Sequence, residues 1–345
     1  MLIYNQILEK ILSKKNLSPE ESEWLMNETM EGTLTSAQIA GWLTALRAKG
    51  ESSEEIASFA KIMRKKAVSV NFSTDMLLDT CGTGGDKSNL MNISTLSAIT
   101  LASMGIPVAK HGNKAVSSSC GSADILEKLG YPLNETAEQT TNRLKNDHFA
   151  FFFAPLFHPA MKNAATTRKE LGIRTVFNIL GPLSNPASAS VHLLGVFDKS
   201  MIKIMAEALL KLNVKTAMVI SSDDGLDEIS PIVPTYYALI DNNNLTEGII
   251  DPAKLDISNK DLHKLKVNNA EDAFQKAKDT LKGSYLPGVE AVSLNSCAAY
   301  YLWQKANNKT NQSISDFLRQ EFKNIKEVLL SGKPYIFTEK WLKQI

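Results

Sequence analysis

Three glycines in four residues, Gly82, Gly84 and Gly85, stand directly after Met76-Leu77-Leu78-Asp79-Thr80, a run that reads as a buried strand. A strand that ends in such a turn has few architectures open to it, because the chain must reverse tightly and its amides can approach an anion closely. Two familiar phosphate motifs that begin at Gly82 are excluded, since both need glycine at the position of Lys87. Beyond this turn the pattern alternates. Helices are expected over 93–104, 124–129, 159–171 and 201–212, and strands over 106–109, 149–153, 191–197 and 217–221. Strands alternating with helices predict a mainly parallel central sheet covered on both faces.

The first seventy residues have a different texture. Ser18-Pro19-Glu20-Glu21, Thr35-Ser36-Ala37-Gln38 and Ser52-Ser53-Glu54-Glu55 are capping boxes, and Gly32 and Gly50 stand where helices should stop. Between them Ile39, Trp42, Leu43 and Leu46 form an apolar stripe at helical spacing, which suits packing better than ligand contact. The segment 231–286 reads as less regular, with a turn at Asp241-Asn242-Asn243-Asn244, and helices follow over 294–304 and 314–330. The fold class is therefore α/β: a small all-helical domain plus a larger α/β domain with a mainly parallel central sheet.

Charge excludes some functions. In 345 residues, Lys+Arg number 38 against Asp+Glu 37, a formal charge of +1, which argues against broad binding of nucleic acid or anionic membranes. The cysteines Cys81, Cys120 and Cys297 are widely spaced, a poor disulfide or zinc framework. No run of about 18 apolar residues suggests a membrane span, and the N-terminus, with acidic Glu9, lacks the apolar core of a leader. A cytoplasmic protein with reduced thiols is expected.

Three loops after strands carry the chemistry. The first is the glycine turn through Asp86, followed by a helix opening on Asn92-Ile93-Ser94-Thr95, whose polar side chains and free amides suit a phosphate or metal-phosphate. The second, Lys110 to Ser122, supplies two lysines, an asparagine and a serine run between glycines. The third, Asp223-Asp224-Gly225-Leu226-Asp227-Glu228, offers carboxylates opposite the phosphate loops, as a magnesium-bridged substrate requires.

Together these residues resemble the anthranilate phosphoribosyltransferase family. The resemblance rests on Gly82-Thr83-Gly84-Gly85-Asp86, Asn92-Ile93-Ser94-Thr95, Lys110-His111-Gly112-Asn113 and Asp227-Glu228 in that family's order and spacing. Gly121-Ser122-Ala123-Asp124, His158-Pro159-Ala160-Met161, Arg168, Leu171-Gly172-Ile173-Arg174-Thr175 and Gly181-Pro182-Leu183 extend it over nearly the whole chain. It implies a nucleoside phosphorylase-type fold, with a helical domain at 1–70 onto which 165–190 packs back, and an α/β domain at 71–164 and 191–345.

The implied activity is transfer of the phosphoribosyl group of phosphoribosyl pyrophosphate to the amine of anthranilate, in tryptophan biosynthesis, by a homodimer joined through the helical domain. The implied donor contacts are Gly82, Thr83, Gly84, Gly85, Asp86, Asn92, Ile93, Ser94, Thr95, Lys110, Gly112, Asn113, Lys114, Ser117, Ser118 and Ser122. The implied anthranilate contacts are Gly82, His111, Asn113 and Arg168, and Ser94, Asp227 and Glu228 are the implied ligands of Mg2+, two ions per monomer. No covalent nucleophile is expected, because the aromatic amine already carries a free lone pair.

Some positions depart from the family pattern. Leu90 stands for a threonine-like residue, Lys114 for arginine, Ser119 for lysine, and Phe157 and Asn163 for histidines. The last two predict an altered acceptor pocket. A different aromatic acceptor therefore stays open, as does a pyrimidine-nucleoside phosphorylase, which shares the fold. An inactive paralogue that binds nucleic acid is a third reading, disfavoured by the neutral charge.

Overall fold

The three capping boxes do start helices. In the computed structural model, which describes residues 3–70, 72, 76–85, 88–115 and 120–342, four helices open the chain: α1 (Tyr4–Leu12), α2 (Pro19–Glu31), α3 (Ser36–Lys49) and α4 (Ser53–Lys66). The hydroxyls of Ser18, Thr35 and Ser52 accept from the amides of Glu21, Gln38 and Glu55, and those three side chains bond back to the cap amides at 2.7, 2.9 and 2.8 Å. Gly32 ends α2 at φ 76°, a conformation that residues with a Cβ adopt reluctantly. Glu55 also accepts from the Leu17 amide at 2.9 Å and from Lys49 Nζ at 2.8 Å, so one buried carboxylate ties three helix ends together.

Seven strands follow: β1 (Leu78–Gly82), β2 (Val108–Gly112), β3 (Phe149–Phe153), β4 (Val191–Gly195), β5 (Thr216–Ser222), β6 (Thr235–Asp241) and β7 (Asn244–Ile250). Their order is β3-β2-β1-β4-β5-β6-β7, with the first five parallel and the last two antiparallel. The expected mainly parallel sheet is present. Strand order reverses between β1 and β4, and ligands of such sheets bind outside the carboxyl ends at that point.

Strand bounds differ from expectation at several places, β4 stopping at Gly195 rather than 197. β1 and β2 run to Gly82 and Gly112, past the apolar runs that suggested 76–80 and 106–109. Pairing of Gly82 with Gly195 and of Gly112 with Phe153 carries the ladder to the tips. Likewise, the segment read as irregular contains the β6–β7 hairpin. Its turn is the asparagine run, with Asn242 and Asn243 at φ 47° and 68°, the left-handed pair that a two-residue hairpin requires. Helices at Ala137–Asp147, Ala270–Leu281 and Lys333–Leu342 add to those expected, and the helix expected over 294–304 spans Leu286–Ala306.

The helix after β1, α5 (Ile93–Ser103), packs with Leu286–Ala306 on one face of the sheet. On the other face the sheet shares a core with the N-terminal bundle through Leu194, Val196, Ala217, Val219 and the helix Met201–Lys211. The helix Lys162–Leu171 packs on α2 and α3, Phe177 lies 6.1 Å from the Trp42 ring, and Arg64 Nε donates to the Leu183 carbonyl at 2.6 Å.

Phe157 and Asn163 are used in this packing. Phe157 is 2% exposed with its ring 5.0 Å from Phe152, and Asn163 Nδ2 donates to the Met30 carbonyl at 2.6 Å. The two replacements thus each have a packing role in the structure. Leu90, for its part, forms an isolated bridge to Lys266.

Candidate active site

The tips of β1 and β4 and the loop after β5 meet at one narrow cleft, and β2 adjoins it behind β1. From the β1 turn, the Gly84 amide donates to Asp227 Oδ2 at 2.7 Å. At the start of α5 the Ser94 amide donates to Glu228 Oε1 at 3.0 Å. Both carboxylates come from the loop after β5, so the acidic pair faces two backbone amides of the glycine loop and the helix start. The Thr80 hydroxyl donates to the Ser94 carbonyl at 2.9 Å, and the Thr83 amide donates to the Gly195 carbonyl at 2.9 Å. A Cβ at Gly82 would overlap the Asp227 carboxylate, which is the local reason for glycine there. The rest of the acidic run is used elsewhere. Asp223 pairs with Lys199, and Asp224 accepts from the Ser222 and Ser230 hydroxyls.

The β2 tip contributes Lys110, only 2% exposed, whose Nζ donates to the Thr80 carbonyl at 2.5 Å. Its charge therefore lies behind β1. Past the strand, Asp124 Oδ2 accepts from the amides of Ala115 and Gly121 at 2.9 and 2.8 Å, which closes the loop on itself. The Ser122 hydroxyl donates to the Asn113 carbonyl at 3.2 Å, and a Cβ on Gly112 would overlap it. Asn92 Nδ2 donates to the Cys120 carbonyl at 3.1 Å and joins this loop to α5. Lys114 is exposed and pairs with Glu127 at 2.8 Å. Asp86, Ser117 and Ser118 lie outside the described residues, as does Ser119.

Not every candidate presents a free group. Ile93 is core, its amide donates to Met91, and the Thr95 amide donates to Asn92. Among the described residues, the buried atoms Thr83 Oγ1, Asn92 Oδ1 and Thr95 Oγ1 have no hydrogen-bond partner, and buried polar atoms are seldom left so.

Two of the acceptor candidates, His111 and Arg168, lie against the segment 177–181. His111 Nδ1 is 3.0 Å from the Gly181 carbonyl, which only accepts, so the proton sits on Nδ1 and Nε2 keeps its lone pair. The ring lies 5.1 Å from His158. Burial lowers the His111 pKa to about 3, with help from His158, and lowers that of His158 to about 4. Both rings are neutral at neutral pH. Arg168, on the helix Lys162–Leu171, stacks over Phe177 at 5.0 Å, and burial lowers its pKa. Among the described residues no carboxylate pairs with it, and no hydrogen bond links it to the strand tips.

Sequence reasoning assigned no role to two residues that hold the site. Arg174 donates to the carbonyls of Gly84 and Gly85 at 2.8 and 3.0 Å, with its guanidinium 3.7 Å from the Phe197 ring centroid. Its place beside Gly172 in the family-like run was the available signal. Asn295 bonds the backbone of Ile229, next to Glu228. A polar residue inside an apolar helix was its signal. Behind β1, Asp79, Cys81 and His192 form a buried group. Burial pushes the Asp79 carboxyl up to about 6, Lys110 opposes this shift, and Asn185 Nδ2 donates to it at 2.8 Å.

A helical bundle set on a parallel sheet, with phosphate-type loops and a carboxylate pair at the strand tips, defines a glycosyltransferase. Residues 5–67 match the family described as glycosyl transferase family, helical bundle domain, and residues 74–335 match glycosyl transferase family, a/b domain. The anthranilate phosphoribosyltransferase of Alkaliphilus metalliredigens is 44% identical over 303 residues, 88% of this chain and 89% of the relative. The crystal structure of the anthranilate phosphoribosyltransferase from Thermus thermophilus is 36% identical, with a TM-score of 0.87 over 98% of both chains. That from Saccharomyces cerevisiae in complex with PRPP and Mg is 25% identical, with a TM-score of 0.85 over 99% of this chain and 98% of the other. The chain belongs to the anthranilate phosphoribosyltransferase family.

Proposed function

We infer that the chain transfers the phosphoribosyl group of phosphoribosyl pyrophosphate to the amine of anthranilate, giving N-(5-phosphoribosyl)anthranilate and pyrophosphate in tryptophan biosynthesis. The observation that carries this reading is the pair of carboxylates, Asp227 and Glu228, set against the amides of Gly84 and Ser94. Anion-seeking backbone and cation-seeking side chains share one cleft, as a metal-complexed diphosphate requires.

Donor contacts fall to the glycine loop, the start of α5 and the Lys110–Ser122 loop. Lys110 stands behind β1 with its Nζ on the Thr80 carbonyl, and the loop amides orient the departing diphosphate. Asp227, Glu228 and the Ser94 hydroxyl are hard oxygen donors, which fits Mg2+, and carboxylates directed at two different amides suit two ions. Bound there, magnesium would stabilise negative charge on the leaving pyrophosphate.

His111 Nε2 is left to accept an N–H of the aromatic amine, which orients the nitrogen lone pair toward the anomeric carbon. Arg168, without a carboxylate partner of its own, binds the anthranilate carboxylate, and Gly82 and Asn113 complete that contact. Proximity and charge placement supply the acceleration, with no covalent intermediate. The helical part is 1–70 with 165–190, and it forms the contact of a cytoplasmic homodimer. Among the described residues no helix is long and apolar enough to cross a membrane.

The test is loss of anthranilate fluorescence with phosphoribosyl pyrophosphate and Mg2+. Metal-dependent consumption is expected. Phosphorolysis of thymidine without consumption of anthranilate overturns the reading.

A further inference from the structure

We propose that Asn295 is a positioning residue for the Asp227–Glu228 pair, a role that rests on the transferase reading above. Its carboxamide is 0% exposed, in the middle of the helix Leu286–Ala306. Oδ1 accepts from the Ile229 amide at 2.9 Å, while Nδ2 donates to the Ile229 carbonyl and to the Ala291 carbonyl one turn back, both at 3.0 Å. One side chain thus satisfies both backbone groups of the residue that follows Glu228. The bond to Ala291 also fixes the amide on its own helix.

The helix has no need of asparagine for itself. Leu294, Cys297 and Ala298 around it are core residues, and a buried amide is costly unless every polar atom is paired. Two of its three bonds go to the acidic loop, and it lines the same narrow cleft as Ser94, Asp227 and Glu228.

Besides the Gly84 and Ser94 amides on its carboxylates, the loop has supports along its backbone and at Asp224, three of which frame the acidic pair. Gly195 lies under the Asp227 backbone, Asp224 is gripped by Ser222 and Ser230, and Asn295 fixes Ile229. Of the three, Asn295 is the one attached next to the carboxylate that faces α5. Ligand carboxylates hold a cation only when their own backbone is kept still, and loss of such outer support typically weakens metal binding by about 10- to 100-fold.

The experiment titrates Mn2+ into the full-length protein with inorganic pyrophosphate and follows free Mn2+ by electron paramagnetic resonance, against a protein-free titration at the same pyrophosphate concentration. Asn295→Ala is expected to bind Mn2+ about ten-fold more weakly or worse. Asn295→Leu, which fills the volume with a stronger helix former, serves should the alanine variant not fold. Ser296→Ala removes a buried hydroxyl from the same helix and is expected to leave Mn2+ affinity within about two-fold.

In the transfer assay the Asn295 variants should need about ten-fold more Mg2+ for half-maximal rate, with the KM for anthranilate unchanged. A purely structural role would lower the fraction of competent protein and leave the affinity of the remainder intact. Wild-type Mn2+ affinity in either folded Asn295 variant overturns the proposal. So does loss of folding in both while Ser296→Ala stays folded, since the residue then serves the scaffold alone. Wild-type protein that binds no Mn2+ with pyrophosphate brings down the transferase reading itself, and the proposal with it.

Discussion

At Gly195 the β4 strand runs out against the backbone of Asp227. A Cβ there would overlap the Asp227 carbonyl group, which is main chain and has no rotamer to change. Gly195→Ala must therefore displace the acidic loop, and a misplacement of about 1 Å commonly costs about 10²-fold in rate. The expected outcome is a fall of about that size in kcat/KM for phosphoribosyl pyrophosphate, read by steady-state kinetics with the donor varied. Unchanged kinetics would mean that the loop position does not matter. Gly82 faces the same loop through the Asp227 side chain, which can rotate, so its replacement should be the milder of the two.

Among the elements, the α1–α4 bundle depends on a single buried acid. Glu55→Ala would leave the Lys49 ammonium buried, its side chain 3% exposed, and would strip the Leu17 and Ser52 amides of their acceptor. Removing one partner of such a pair costs about 3–5 kcal/mol, to be read from the urea midpoint, while the kinetics of the folded variant stay as in wild type. Helix starts such as Ser52–Glu55 were legible because a cap is a local contract between neighbours. The mostly parallel sheet was legible for a similar reason, as an alternation along the chain. Strand ends were not, because Gly82 and Gly112 belong to the ladder through partners far away in sequence. The Asn242–Asn243 turn was visible as a turn, but without marked apolar alternation around it the hairpin was not. In the site, Arg174 stood inside a quoted motif but its role did not, and Asn295 stood in none, because both act through backbone atoms of segments distant in sequence.

For the whole molecule, burial of ionisable groups sets the response to acid. Burial holds His111 at about 3 and His158 and His192 at about 4, below their ordinary 6.5. Each contributes stability that is full above pH 6.5 and is lost as pH falls toward the folded value. Asp79 runs the other way, because its pKa is raised from 3.8 to about 6. Its contribution is full below pH 3.8 and lost as pH rises through 6. Near pH 5 the unfolded chain takes up three imidazole protons while the folded protein keeps one extra carboxyl proton. These groups should lower stability by about 2–3 kcal/mol per unit of acidification there. Melting temperatures between pH 4.5 and 7 test this, and a flat profile contradicts it.

The pairing of Asp227 with Gly84 and of Glu228 with Ser94 has a consequence for ligand entry. The protein keeps an internal surrogate anion on those two amides. A bare diphosphate would have to evict both carboxylates and then sit beside them, like charge against like. On the proposed reading, one that arrives with its cations would offer each displaced carboxylate a new companion, so the main chain would discriminate in favour of the chelated form.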